Sequence, residues 1–433
     1  MSRAFDSIER AVAEVRSADT LGVPLGPGIP GKFLHALGER DDFTRLEVFG
    51  ALLPDLYQLF MRNGVHYRSG FFGPAERFLR DAGASIDYVP ADFRRFEPTL
   101  RRLRPRVMAT AGAMPVDGWM SLSVHAGATV EELHLAAQDP GRVLIVECSP
   151  NFPRTFGVAP DEMHRIHVDE IDILLESDAQ PLNLADQEPS DAEREIARLA
   201  MQFIHDGCTL QTGIGGIPSQ VATALANGDG GDYGIHSEMF TTGLMRLHQS
   251  GKVTNAKGGE FDGFSVTTFA AGVPELYEWL HNNEAVRFLP VRTVNSPDVI
   301  SRQRHITTIN GAMAVDLSGQ VVADSINGHQ FSGIGGHEDF VSGPGLSRRG
   351  RSMICLPSTT TVDGKLVSRI LPQLPAGSVV TTPRHHVDIV ITEFGVAELQ
   401  DLTINERSVA LAKIGHPEFR DALLAAAKVW PSD

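Results

Sequence analysis

Gly28-Ile29-Pro30-Gly31-Lys32-Phe33-Leu34-His35-Ala36-Leu37 returns as Gly216-Ile217-Pro218-Ser219-Gln220-Val221-Ala222-Thr223-Ala224-Leu225, displaced by 188 residues without a gap. The match extends upstream, where Ile8, Ala11, Val12 and Val15 fall on Ile196, Leu199, Ala200 and Phe203. Their i, i+3, i+4, i+7 spacing is that of a helix with one face against a core. Ser190 followed by Glu193 is a capping box that starts the second of these helices. Each copy therefore reads as helix, short strand (21–25; 209–212), glycine-rich turn, helix. The fold class that follows is α/β, built as two tandem duplicated open α/β domains, 1–180 and 190–433. Residues 176–189 are rich in Asp, Gln, Asn and Pro without periodicity and read as the linker between them.

Apolar runs at 106–111 and 143–148 predict buried strands in the first half, and 7–16 and 129–137 predict helices. In the second half, 287–291, 352–356, 378–382 and 387–392 are expected strands. Helices are expected at 404–413, introduced by Thr403 and Glu406, and at 417–427, with Pro417 at a favourable first position. Short apolar strands alternating with helices indicate mostly parallel sheets.

Composition narrows the function. A chain of 433 residues is too long for one ordinary core. Its 42% hydrophobic and 21% charged residues are those of a globular protein, and no apolar run is long enough to span a bilayer. Residues 1–19 carry acids on an amphipathic pattern, unlike a secretory signal. Cys148, Cys208 and Cys355 are odd in number and far apart, each in or beside an apolar run, and read as reduced core thiols of a cytoplasmic protein. A formal charge of −16 argues against general nucleic-acid binding but leaves room for a local anion site. Two arginine runs are candidates for one: Arg94, Arg95, Arg101, Arg102, Arg104 and Arg106, and Arg348, Arg349 and Arg351. Each reads more readily as a solvated face.

The chemistry is expected around Tyr233-Gly234-Ile235-His236-Ser237-Glu238-Met239-Phe240, where Glu238 is the one acid between the apolar and small residues 234–240. A poorly solvated carboxylate beside backbone N–H groups suits a nucleophile or an acid/base group. The plainer alternative is that Glu238 faces the positive end of a helix at 242–249. Two glycine turns bracket it in sequence, Gly213-Ile214-Gly215-Gly216 and Gly333-Ile334-Gly335-Gly336. Bare amides beside glycine can stabilise a developing oxyanion. Neither turn has the spacing of a Walker loop or a dinucleotide fingerprint, and no Gly-x-Ser-x-Gly elbow is present. His164 with His167, and His385 with His386, lack a third ligand nearby, so no metal site is expected.

These motifs, with matching residues at 251–257, 309–324, 356–359, 390–397 and 416–420, give the second half a resemblance to the acetyl-CoA hydrolase/transferase family of CoA-transferases, nearest the 4-hydroxybutyrate CoA-transferase type. In the first half, 26–30, 146–157 and 167–172 match more loosely. The resemblance implies two CoA-transferase-like domains, with Glu238 attacking an acyl-CoA thioester to give an acyl anhydride and then a glutamyl-CoA thioester. It places Gly335 and Gly336 at the thioester as backbone donors. Gly213, Gly215, Gly216, Ile217 and Pro218 fall on the CoA side. No permanent cofactor is implied; coenzyme A is a substrate together with a small carboxylic acid, and a homodimer is expected. An acyl-CoA hydrolase and a non-catalytic CoA-binding protein are the alternatives. Where the family usually has Gln after the second glycine pair, this chain has His337. It is expected to contact the acyl group and to change charge near neutral pH.

Overall fold

The computed structural model describes residues 3–125, 127–159, 162–185 and 188–428. The first half forms a seven-stranded parallel sheet from Ala18–Leu25 (β1), Arg45–Ala51 (β2), Val65–Ser69 (β3), Ile86–Tyr88 (β4), Val107–Ala113 (β5), Val143–Ser149 (β6) and Ile173–Glu176 (β7), in the order β4-β3-β2-β1-β5-β6-β7. Residues of β5 are buried along its whole length, as the apolar run requires of a strand covered on both faces.

The second half repeats the plan with six strands: Thr209–Thr212 (β8), Gly234–Ile235 (β9), Thr307–Gly311 (β10), Arg351–Cys355 (β11), Ile389–Thr392 (β12) and Gly395–Glu398 (β13). Their order is β9-β8-β10-β11-β12-β13, parallel except for the β12–β13 hairpin at the edge. The duplicated segments occupy equivalent places. Ile8–Glu14, capped by Ser7, precedes β1, and Asp191–Ala200, with the Ser190–Glu193 capping box, precedes β8. Gly31–Gly38 follows β1 as Gly216–Asn227 follows β8.

Several expectations require correction. Segment 378–382 is no strand: it makes only a bridge from Thr382 to Val321, and Val379 and Val380 are exposed between a turn at Gly377 and Pro383. Segment 287–291 divides, with Val286–Phe288 as a strand and Val291–Val294 as one helical turn, because Pro290 cannot continue a ladder. The strands β2, β3 and β4 were not read from the sequence. The β3 residues alternate buried and half-buried, carrying His66 and Arg68 on the wetter face, so they show no continuous apolar run. The linker segment is tied down where it is described: Ser149 donates to the Ala179 carbonyl, and the Leu184 N–H donates to that of Gly272.

The halves share their interior. Met239, Phe269, Ala271 and Val291 of the second half pack in one cluster with Phe93, Phe96, Leu122 and Val146 of the first. Backbone bonds cross with them, from Ala270 N–H to Val124, Gly127 N–H to Thr268 and Val291 N–H to Gly127. No helix among the described residues is long and apolar enough to cross a membrane.

Candidate active site

In open parallel sheets, ligands are met beyond the carboxyl ends of the strands. Both glycine turns and Glu238 lie at that end of the second sheet. Glu238 lies three residues after the end of β9 and is locked through its main chain. Its carbonyl accepts from Thr268 Oγ1 (2.8 Å), Thr267 Oγ1 (2.9 Å) and the Thr268 N–H (2.9 Å). Below it, buried Ser237 donates to the carbonyls of Thr212 (3.1 Å) and Met239 (2.8 Å), which joins the loop to the end of β8. His236 is buried and pushed down to about 3, so it is neutral, and its Nε2 donates to the Val294 carbonyl at 2.7 Å. The Lys257 ammonium, buried and pushed down to about 7, donates to the carbonyls of Ile235 (2.8 Å) and Phe264 (2.9 Å). These anchors, made to residues distant in the chain, fix the loop that carries the side chain.

That side chain is held by an amide. Asn295 Nδ2 donates to Glu238 Oε2 at 2.6 Å and to Asp339 Oδ2 at 3.0 Å. Arg94, from the first half, pairs with Asp339 Oδ1. Burial pushes the Glu238 carboxyl up to about 8; the Asn295 bond opposes the shift and Asp339 adds to it. Burial likewise pushes Asp339 up to about 7, against the pull of Arg94 and Asn295. Glu238 is only half-buried by its own surface, so its carboxyl is enclosed by protein yet reachable from one side.

Gly335 and Gly336 close on this carboxyl. A Cβ at Gly336 would overlap Glu238 Oε2 and Asn295 Nδ2, and Gly335 has φ +57°, a left-handed conformation. Among the described residues, neither of their N–H groups has a hydrogen-bond partner. The turn is fastened from the first half, where Phe93 N–H donates to the Gly335 carbonyl at 2.8 Å and Phe71 lies against Gly333. Two free donors next to a desolvated carboxylate are the elements of an oxyanion site.

The first glycine turn is open. Gly215 caps the helix Gly216–Asn227 with φ +117°, and nothing lies within 4 Å of a Cβ at Gly213 or Gly215. It borders a cleft of about 240 Å³ shared with Thr242, Gly243 and Gly272. Gly216 instead abuts the Glu193 carboxylate, Ile217 is buried in the core, and Pro218 is half-buried in the helix's first turn.

His337 is not brought to Glu238. It begins the helix His337–Gly345, two positions from Asp339, and residues so spaced point to nearly opposite sides of a helix. Its charged neighbour is Asp324, and burial pushes its imidazole down to about 4. It is therefore neutral through the range in which a change of charge was expected.

Apart from Arg94, the arginine runs fall elsewhere. Arg101 pairs with Glu131, Arg104 with Asp139 at 2.7 Å and Arg106 with Asp19 at 2.6 Å, so most of the first run is structural. Arg351 starts β11 at its amino end, opposite to Glu238, and pairs with Asp388 and Glu398. The cysteines are buried and free, and burial pushes the Cys148 and Cys355 thiols up to about 12, which makes them poor nucleophiles. Asn295 and Asp339 were not singled out from sequence. An Asn between Val294 and Ser296, and an Asp after His337-Glu338, carry no spacing signal until the fold joins them.

Residues 272–427 match the family described as acetyl-CoA hydrolase/transferase C-terminal domain. The chain is 35% identical over 424 residues to 4-hydroxybutyrate coenzyme A transferase of Clostridium kluyveri, covering 96% of this chain and 95% of that one. It is 33% identical over 427 residues to succinyl-CoA:cyclohexane-1-carboxylate CoA transferase of Geobacter metallireducens, covering 96% and 93%. The crystal structure of RipA from Yersinia pestis superposes with a TM-score of 0.88 at 31% identity, over 98% of this chain and 97% of that one.

Proposed function

This chain belongs to the acetyl-CoA hydrolase/transferase family of CoA-transferases, and from that premise we propose that Glu238 is its nucleophile and carries CoA as a glutamyl thioester. The enzyme moves CoA between an acyl-CoA and a carboxylic acid. In the proposed sequence, a Glu238 carboxylate oxygen attacks the thioester carbonyl, and the carbonyl electrons move onto oxygen. The free N–H groups of Gly335 and Gly336 receive that oxyanion. Its collapse breaks the C–S bond, giving a mixed anhydride and CoA thiolate. The thiolate attacks the Glu238 carbonyl of the anhydride and releases the first acid as its carboxylate. A second carboxylate then reverses both steps and leaves with CoA, restoring Glu238.

The observation that carries the reading is the clasp on Glu238: one carboxyl fixed by Asn295, overlaid by Gly336 and desolvated on all sides but one. Gly213 and Gly215 offer the open backbone next to it on which the CoA arm would lie, with Ile217 and Pro218 supporting the turn from the helix below. His337 belongs to the support of the second glycine turn in this proposal. A homodimer in the cytoplasm completes the proposal; light scattering of the purified chain tests the dimer.

The covalent step is tested by incubation with a panel of acyl-CoAs, followed by hydroxylamine or borohydride and peptide mapping. A single adduct at Glu238 is expected under turnover, and an adduct elsewhere, or none, overturns the mechanism. Glu238→Gln should bind CoA and lose nearly all exchange, because a neutral amide is too weak a nucleophile. Free CoA released without an acceptor acid would mark hydrolysis instead of transfer.

A further inference from the structure

A cleft of about 1020 Å³ opens at the amino ends of β8, β10, β11 and β12, the end of the sheet away from Glu238. Its walls concentrate positive charge in a chain whose formal charge is −16. Arg348 is exposed and has no hydrogen-bond or ion-pair partner among the described residues. The Arg349 guanidinium faces the His305 ring at 3.3 Å instead of an acid. Arg407 donates to the Arg384 carbonyl at 2.6 Å, and burial together with the Arg384 charge holds its pKa below the usual guanidinium range. Burial and the charges of Arg349 and Arg304 hold His305 below the ordinary histidine range.

The acids on the same walls do not balance this group. Asp388 is taken by Arg351 at 2.9 Å, and Asp206 accepts the Gly231 N–H at 2.9 Å. Asp206 and Asp401 remain against the three guanidinium groups of Arg348, Arg349 and Arg407, so the balance stays positive. Guanidinium groups that face one cleft in excess over its acids repel one another, and an anion bound between them relieves the repulsion while gaining paired N–H···O bonds. The volume suits a small molecule and not a single inorganic ion.

We propose that this cleft is a second ligand site, for a molecule bearing a multiply charged phosphate group, with Arg348, Arg349 and Arg407 as its anchors. The same chemistry is found on a free phosphorylated metabolite and on the nucleotide end of a CoA. The geometry favours the former, because Arg348 and Arg349 lie beyond the opposite ends of the strands from Glu238. The assignment is independent of the role given to Glu238.

Inorganic tripolyphosphate is the probe, titrated by calorimetry into the full-length protein at low salt. One saturable site is expected, weakened at least about tenfold in Arg348→Ala/Arg349→Ala and in Arg407→Ala, as for loss of charge-assisted bonds. Arg348 and Arg349 are exposed, so the double variant should melt as the wild type does and keep its exchange rate and KM for acyl-CoA. Saturating CoA should leave tripolyphosphate binding unchanged. Absence of binding, or equal affinity in the double variant, overturns the site. Displacement by CoA, or a raised KM for acyl-CoA in the double variant, overturns the separate ligand and gives the cleft to the CoA nucleotide.

Discussion

A methyl group on the α-carbon of Gly336 would overlap Glu238 Oε2 and Asn295 Nδ2. The glycine is therefore a condition for the carboxyl to sit where it does, and this is a sharper requirement than conformational freedom, since Gly336 itself has a negative φ. The colliding atoms are the ends of side chains, so Gly336→Ala should fold with nearly wild-type stability while displacing the carboxyl. A misplacement of about 1 Å at a reacting group costs on the order of 100-fold in rate. We expect exchange to fall by about that factor, with thermal melting shifted by no more than a few degrees. A near wild-type rate would show that Glu238 and Gly336 do not have to meet during turnover. Glu238 could be read from the sequence because one acid stood alone among apolar residues. Asn295 could not, since its role rests on two bonds, to Glu238 and Asp339, made across 57 and 44 positions of the chain.

At the scale of elements, the helix His337–Gly345 and the short helix Phe93–Arg95 form a pair across the two halves. Arg94 of one reaches Asp339 of the other, and Asp339 shares the Asn295 amide with Glu238. Asp339 titrates near 7 in the folded chain, against a model-peptide value near 3.9. Its ionised form is thus disfavoured by folding, and stability falls as pH rises from about 4 through 7. Arg94 limits that loss. Arg94→Gln should raise the Asp339 pKa further, so the variant matches the wild type near pH 5 and becomes less stable above pH 7. Removing one partner of a fully buried pair costs about 3–5 kcal/mol. Arg94 is 32% exposed, so roughly 1–2 kcal/mol is expected here. Urea unfolding at several pH values reads the difference, and a gap of equal size at pH 5 and 8 would place the role of Arg94 in packing alone. The helix starts at Ser190 and Thr403 were legible because a capping box is local chemistry. The strand β3 was not, since a half-wetted strand owes its place to neighbours on either side.

At the scale of the molecule, a repeated sequence suggests two independent units, and the proposed boundaries 1–180 and 190–433 express that. The packing argues that they stand or fall together. Phe240, Leu244 and Phe288 of the second half share a core with Ala111, Val124 and Phe152 of the first. The glycine turn beside Glu238 hangs from Phe93 of the first half. The duplication was visible in residue identities, but this shared interior was not, because either copy reads alone as a complete α/β pattern. Interfaces between domains of one chain are commonly small and polar, and such domains can melt separately. Here the apolar contact is continuous, so one cooperative transition is expected. Trp279 reports on it: it stacks on Phe240 with ring centroids 5.8 Å apart, within the second half. Trp119→Phe/Trp430→Phe leaves it as the single tryptophan. In that background Leu46→Ala cuts a cavity in the core of the first sheet, where Leu46 is fully buried, at a cost of about 2–5 kcal/mol. Coupled halves require the urea midpoint from Trp279 fluorescence to fall together with that from circular dichroism. If the Trp279 midpoint stays in place while part of the dichroism signal is lost early, the halves unfold independently. The first half would then be a separately stable wall of the active site, and the anchoring of Gly335 by Phe93 would contribute nothing to the stability of the second.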